Sequence, residues 1–316
     1  MNAITIGTES CLEPLRERLS TEVRSLREEG LDVRVDEESR GRLTFFGCNL
    51  ADGPDGDVTT EAGRNLSSLL RHTVAGALSD VIVDNWEQRL LKKFIRASYY
   101  YFSPEEQDTI LTYAGRNLNS GESERPAAQT LARKRQVLHR LLDYLDTGDE
   151  LVLEGFVTFR MKDYVEELED AVDRAVDDFL MEKEYMEFIR LLRYFVEAQE
   201  PRVDEVHVVV YPGGGFKLLD ESGQAIHNEY LEEFVVEMVD SEVNYEDLLI
   251  SSLITIAPSR VTLHLPVMAG RDEAVETVRS VFGDRVTLCR GCETCLQGEH
   301  AVVAPPAAGL GQWHTT

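Results

Sequence analysis

The chain has 316 residues, 43% of them hydrophobic and 28% charged, with five cysteines and a formal net charge of −26. That length and apolar content exclude a disordered or fibrous chain and allow a core that needs no covalent staples. The excess of acid sets up a field that repels nucleic acid and anionic lipid and keeps the chain soluble.

Residues 1–57 read as a small α/β unit. Ala3-Ile-Thr-Ile alternates as a strand, and Leu12, Leu15, Leu19, Val23 and Leu26 then recur at helical spacing up to Gly30. Residues 31–35 and 43–46 give two further strands, and 49–57, rich in Gly, Pro and Asp, reads as a linker. The stretch 58–202 reads as helical. Thr60, Leu66, Leu69, Leu70, Val74, Leu78, Val81 and Ile82 form an apolar stripe that Trp86, Leu90, Leu91, Phe94 and Ile95 extend. Ser103-Pro-Glu-Glu106 is a helix start, with serine as N-cap, proline at the first helical position and glutamate completing a capping box. Another helix covers about 126–144. Over 164–180 the apolar residues repeat in threes and fours, as one long amphipathic helix does. Phe188, Ile189, Leu192, Phe195 and Val196 mark its continuation or a partner helix, stopped before Pro201.

Residues 203–297 return to α/β patterning. Val206-His-Val-Val-Val-Tyr, a Pro-Gly-Gly-Gly turn and Phe216-Lys-Leu-Leu form a β-hairpin. Helices over 229–239 and 245–256 follow. A strand over 261–265, a helix over 272–282 and a strand over 286–289 then complete a βαβ unit. Residues 298–316, rich in Pro, Ala and Gly, read as a disordered tail. The expected fold class is α+β and predominantly helical.

The opening residues carry no cationic segment followed by a long apolar one, so no signal peptide is expected. The best apolar run, 248–257, is too short to span a bilayer and holds Ser251, Ser252 and Thr255. The expectation is a cytoplasmic protein, in which five cysteines point to metal binding or free thiols rather than a disulfide framework.

Between Trp86 and Arg140, ten basic residues stand against six acidic ones, so this segment carries +4 and the remainder −30. One reading is neutralisation by, or packing against, the acidic remainder. The other is a nucleic-acid-binding segment, since Arg89 to Tyr101 interleaves bases with aromatics. Helical spacing puts Leu90, Leu91, Phe94 and Ile95 inward and Lys92, Lys93 and Arg96 outward, so a plain amphipathic helix explains it as well.

The stretch Glu154-Gly-Phe-Val-Thr-Phe-Arg-Met-Lys-Asp-Tyr-Val-Glu-Glu-Leu-Glu-Asp resembles the YtxC-like family of spore-forming bacteria, whose members are associated by description with sporulation. So do Phe179-Leu-Met-Glu-Lys-Glu-Tyr-Met-Glu-Phe-Ile, Asp204-Glu-Val-His-Val-Val-Val and Leu249-Ile-Ser-Ser-Leu-Ile-Thr-Ile-Ala-Pro. The likeness covers about residues 60 to 290 and is strongest from 150 to 260. It implies a bacterial cytoplasmic protein connected with sporulation, and it implies no reaction.

Chemistry concentrates in Cys289-Arg-Gly-Cys292-Glu-Thr-Cys295. A Cys-x-x-Cys turn presents two thiolates to one metal, and Gly291 suits the tight backbone of such a knuckle. The overlapping second pair fits an iron–sulfur run as well as tetrahedral zinc, although the distal cysteine followed by proline is missing. His300 is the candidate fourth ligand to zinc, with Cys11 or Cys48 as alternatives from elsewhere; three reduced thiols without metal remain the plain alternative.

The acids Glu166, Glu167, Glu169, Asp170, Asp173, Asp177 and Asp178 fall between apolar positions and read as a solvated face, with no Glu-x-x-His pair to make a carboxylate metal bundle. Gly213-Gly-Gly-Phe-Lys217 lacks the spacing of a phosphate loop. His207 and His264 lie within strands and read as core or half-buried imidazoles. The leading expectation is a non-enzymatic scaffold or regulator that binds a protein partner, its end pinned by zinc. An iron–sulfur or thiol redox enzyme using Cys289, Cys292 and Cys295 is the alternative, and a nucleic-acid binder acting through 86–140 stands third.

Overall fold

Strand β1 (Ala3–Thr8) nucleates the first sheet because its alternation puts Ile4, Ile6 and Thr8 on one buried face. It pairs antiparallel with β3 (Leu43–Leu50), Ile6 opposite Phe46, and parallel with β4 (Glu150–Val152), Ile6 opposite Leu151. With β2 (Val33–Arg40) on β3, the sheet order is β2-β3-β1-β4. Gly7 is required by close approach, since a Cβ there would meet the Phe45 ring at 2.7 Å. The computed structural model describes residues 3–50, 61–120, 126–211, 215–226, 245–265, 273–293 and 295. The helix expected at 229–239, the tail at 298–316 and the linker beyond Leu50 lie outside the described residues.

Helix α1 (Leu12–Glu28) buries Leu15, Leu19, Val23 and Leu26, the stripe its spacing predicts. Gly30 follows it at φ 93°, a left-handed conformation that glycine adopts without Cβ strain. The strands expected at 31–35 and 43–46 both run longer. The added length of β2, Asp36-Glu-Glu-Ser-Arg40, is exposed and charged, as suits the edge of a sheet that must not pair further.

The helices of this unit are α2 (Glu61–Val81), α3 (Glu87–Ser98), α4 (Pro104–Leu118), α5 (Pro126–Leu145), α6 (Leu153–Arg160) and α7 (Lys162–Ala198). A π turn, Ile82–Trp86, joins α2 to α3 and shifts the phase of the apolar stripe between Ile82 and Leu91. The capping box of α4 is formed in both directions: Ser103 N donates to Glu106 Oε2 at 2.8 Å, and Glu106 N donates to Ser103 Oγ at 3.3 Å. Glu87, the first residue after the π turn, is 5% exposed and receives Arg133 Nε at 2.9 Å and the Tyr164 hydroxyl. Arg133 also donates to Leu118 O at 2.6 Å and Asn119 Oδ1 at 3.2 Å, so one guanidinium ties α3, α4 and α5 together.

The chain divides into two compact units between Glu182 and Lys183. One apolar core of the first unit includes Ile6, Leu15, Phe46, Leu78, Leu141 and Leu168, so the strands of 1–57 and the helices after them share it. Along α7, Leu168, Val172 and Ala175 belong to that core, whereas Ile189 and Val196 belong to the core of the second unit. The seven acids between Glu166 and Asp178 are exposed, as their spacing predicts.

The second sheet is separate from the first and has the order β6-β5-β7-β8. Its strands are β5 (Val203–Val210), β6 (Phe216–Leu219), β7 (Pro258–His264) and β8 (Val286–Leu288). The hairpin β5–β6 is antiparallel and closed by Tyr211 N donating to Gly215 O at 2.8 Å. The pairs β5–β7 and β7–β8 are parallel. Helices α8 (Tyr245–Ile256) and α9 (Glu273–Phe282) make the crossovers. Leu249, Leu253, Val275 and Val278 of these helices pack with Val206, Val208, Val261 and Leu263 of the strands, so both helices cover the same face.

Leu168 is fully buried, and Leu168→Ala is expected to destabilise the protein by about 2–5 kcal/mol in urea unfolding; a loss within error would contradict the helical core. Arg133→Met strands the buried Glu87 carboxylate and is expected to cost about 3–5 kcal/mol, with part of that loss recovered in the double variant Glu87→Leu/Arg133→Met. Equal stability of single and double variants would show that the pair is not what holds these helices.

Candidate metal centre

On the sheet face opposite α8 and α9, alternation places Glu205 and His207 of β5 and Arg260, Thr262 and His264 of β7. The register sets Thr262 beside Thr287 and Leu263 beside Leu288, and Cys289 N donates to Leu263 O at 2.9 Å. Cys289 therefore emerges from the carboxyl end of β8 alongside His264, the last residue of β7. Gly291, at φ 110°, turns the chain back with a left-handed backbone that residues bearing a Cβ resist.

That turn brings three sulfurs to one imidazole. Cys292 Sγ stands 3.3 Å and Cys295 Sγ 3.4 Å from His264 Nδ1, and the two sulfurs are 3.8 Å apart. With Cys289 Sγ included, the four donor atoms all lie within 4.8 Å of one another. His264 and Cys295 are buried; Cys289 and Cys292 are half-buried. Burial pushes the Cys295 thiol up to about 11, and the neighbouring thiols of Cys289 and Cys292 add to it. Burial also lowers the His264 pKa, and His207 lowers it further, against an opposing pull from Glu205. The net shift of each group favours its uncharged form. A bound cation reverses the balance for thiols, because it stabilises the thiolate that coordinates it.

On its other side, His264 Nε2 lies 3.1 Å from His207 Nδ1, so each nitrogen of the His264 ring faces a polar group. Glu205 Oε1 accepts from Thr262 Oγ1 at 2.7 Å, and Glu205 Oε2 lies 3.6 Å from Arg260 Nη1.

The structure thus brings together the three cysteines singled out by sequence, and adds His264, which its place within a strand marked as a core or half-buried imidazole. A usable signal existed. In a βαβ unit with parallel strands the carboxyl ends of neighbouring strands lie side by side, and here His264 ends β7 while Cys289 directly follows β8. His300 lies outside the described residues. Cys11 and Cys48 sit in the core of the first unit, where Arg89 Nη1 approaches Cys11 Sγ at 3.5 Å and burial pushes the Cys48 thiol up to about 12.

Several bases of the 86–140 segment are engaged. Arg133 pairs with Glu87, Lys134 with Asp80 and Asp84 at 2.8 Å each, and Arg140 with Asp163 at 2.8 Å. Lys92, Lys93 and Arg96 are exposed on the outer face of α3.

Fold and site define a predominantly helical α+β protein that carries, on one face of a small mixed sheet, a three-cysteine, one-histidine cluster able to hold a metal ion. The chain belongs to the YtxC-like family, whose pattern matches residues 72–287. It is 28% identical over 205 residues to "Uncharacterized protein YtxC" of Bacillus subtilis (strain 168), a match covering 64% of this chain and 71% of that protein. No solved structure matches. The family match takes in His207 and His264 and stops just before Cys289.

Proposed function

We propose that the protein is a non-enzymatic cytoplasmic scaffold or regulator, connected with sporulation through its family, that binds a protein partner and carries one structural zinc ion on Cys289, Cys292, Cys295 and His264. The observation that carries the zinc reading is the spacing of the donors. Ligands held at about 2.3 Å (sulfur) and 2.0–2.1 Å (nitrogen) in a tetrahedron lie about 3.8 Å apart for two sulfurs and about 3.6 Å apart for sulfur and nitrogen. The corresponding separations are 3.8 Å for Cys292 and Cys295, and 3.3 and 3.4 Å from these sulfurs to His264. Four protein donors close the shell and leave no position for a reacting water, as in sites that serve structure rather than catalysis.

The partner reading is supported by α7. Its second half exposes Tyr185, Met186, Phe188, Leu191, Tyr194 and Phe195, between 47 and 71% each, far more apolar surface than scattered single side chains give. The redox alternative rests on the approach of Cys292 and Cys295, and an iron–sulfur cluster would need His264 to replace a fourth thiolate.

Protein purified without oxygen or chelator is expected to contain one zinc per chain and to be colourless. Cysteine-to-serine changes at 289, 292 or 295, or His264→Ala, should release it and loosen the 285–295 segment, while the helical signal of the first unit and the metal content of His300→Ala stay unchanged. Brown protein with iron and sulfide would replace this reading with the iron–sulfur enzyme, and absence of stoichiometric metal would end the zinc and iron–sulfur readings and leave only thiol chemistry. No binding to duplex DNA is expected at physiological salt in a gel-shift assay, because the net field opposes it. Tight, salt-sensitive binding abolished by neutralising Lys92, Lys93 and Arg96 would favour the nucleic-acid reading instead.

A further inference from the structure

We infer that His207 is a positioning residue for the metal centre: its Nδ1 accepts a hydrogen bond from His264 Nε2 and so holds the His264 ring with a bare Nδ1 facing the three sulfurs. The inference rests on the reading of His264, Cys289, Cys292 and Cys295 as a metal site. A neutral imidazole has one N–H and one bare nitrogen, and only the bare one can ligate. His264 Nδ1 is the atom that meets Cys292 and Cys295, so the proton must sit on Nε2. His264 is 6% exposed, and an Nε2–H in that setting needs an acceptor. His207 Nδ1, 3.1 Å away, is in place to be that acceptor.

The placement follows from register. Thr262 pairs directly with His207 and Val209 with His264, so the two histidines are diagonal neighbours on one face of β5 and β7. For the half-buried His207 to accept at Nδ1, a neutral ring carries its own proton on Nε2. The nearby carboxylate, Glu205, is bonded to Thr262, so the groups on that face leave the His264 contact to the second imidazole. Partners of this kind orient a ligating histidine, and losing one weakens metal binding by about 10- to 100-fold.

The test uses the full chain, reduced and loaded with zinc(II) alone, and measures its dissociation constant by competition with a chromophoric chelator. His207→Phe keeps a ring in the strand but offers no acceptor. His207→Asn places Oδ1 where Nδ1 stands. The expected result is a zinc dissociation constant raised about 10- to 100-fold by His207→Phe and returned most of the way by His207→Asn, with the circular dichroism of the metal-free proteins unchanged. Equal affinity in wild type and His207→Phe overturns the inference and leaves the metal site standing. An asparagine variant as weak as the phenylalanine one also overturns it, because the ring itself and not its acceptor then matters. Wild-type protein that takes up no zinc overturns the metal reading beneath it.

Discussion

The second sheet advances in one direction, from β5 to β7 to β8, through parallel pairings. Right-handed crossovers in such a series fall on the same side, and α8 and α9 indeed cover one face together. Everything distinctive about the candidate centre depends on this. A parallel strand covered on both faces reads as a near-continuous apolar run. With only one face covered by the crossovers, β5 and β7 alternate instead, Val206, Val208, Val261 and Leu263 inward and Glu205, His207, Arg260, Thr262 and His264 on the other side. The imidazoles have a place because the helices leave them one, and the parallel register then puts the hook of three cysteines against the second of them.

The first unit solves a different problem. Its helices meet around a charge pair sealed from water, Glu87 with Arg133, joined by Tyr164 and by two oxygens at the end of α4. Such a pair is weak evidence of stability, because desolvation offsets most of its attraction, but each partner depends on the other being present. The π turn just before Glu87 changes the phase of the helix at that point. Glu87, directly after that change of phase, faces inward.

Much of this was legible in the sequence, for reasons that differ by element. Periodicity found α1 and the long α7, whose buried Leu168, Ala171, Val172 and Ala175 are the predicted stripe. The Ser103 capping box was readable because its chemistry is local. The polar half of β2 was not, since an exposed edge strand leaves no apolar alternation to see. The π turn was invisible because the apolar residues continue through it with only a change of phase. The three cysteines announced themselves by spacing alone. His264 did not, because its role comes from a neighbour 25 residues along the chain that only strand pairing brings near.

That contrast between local and distant donors has a thermodynamic consequence. Cys289, Cys292 and Cys295 fall within seven residues, so an unfolded chain would still present three thiolates to a passing ion. A ligand stabilises a fold only by the difference between its affinities for the folded and unfolded chain. For zinc held here, that difference comes largely from His264, the donor supplied by β7 and lost when the sheet comes apart. Affinity of the folded chain for the ion would thus depend on all four donors, while the share of that affinity which stabilises the fold would come chiefly from the histidine. A chain that binds metal tightly could on this account gain only modestly in resistance to unfolding.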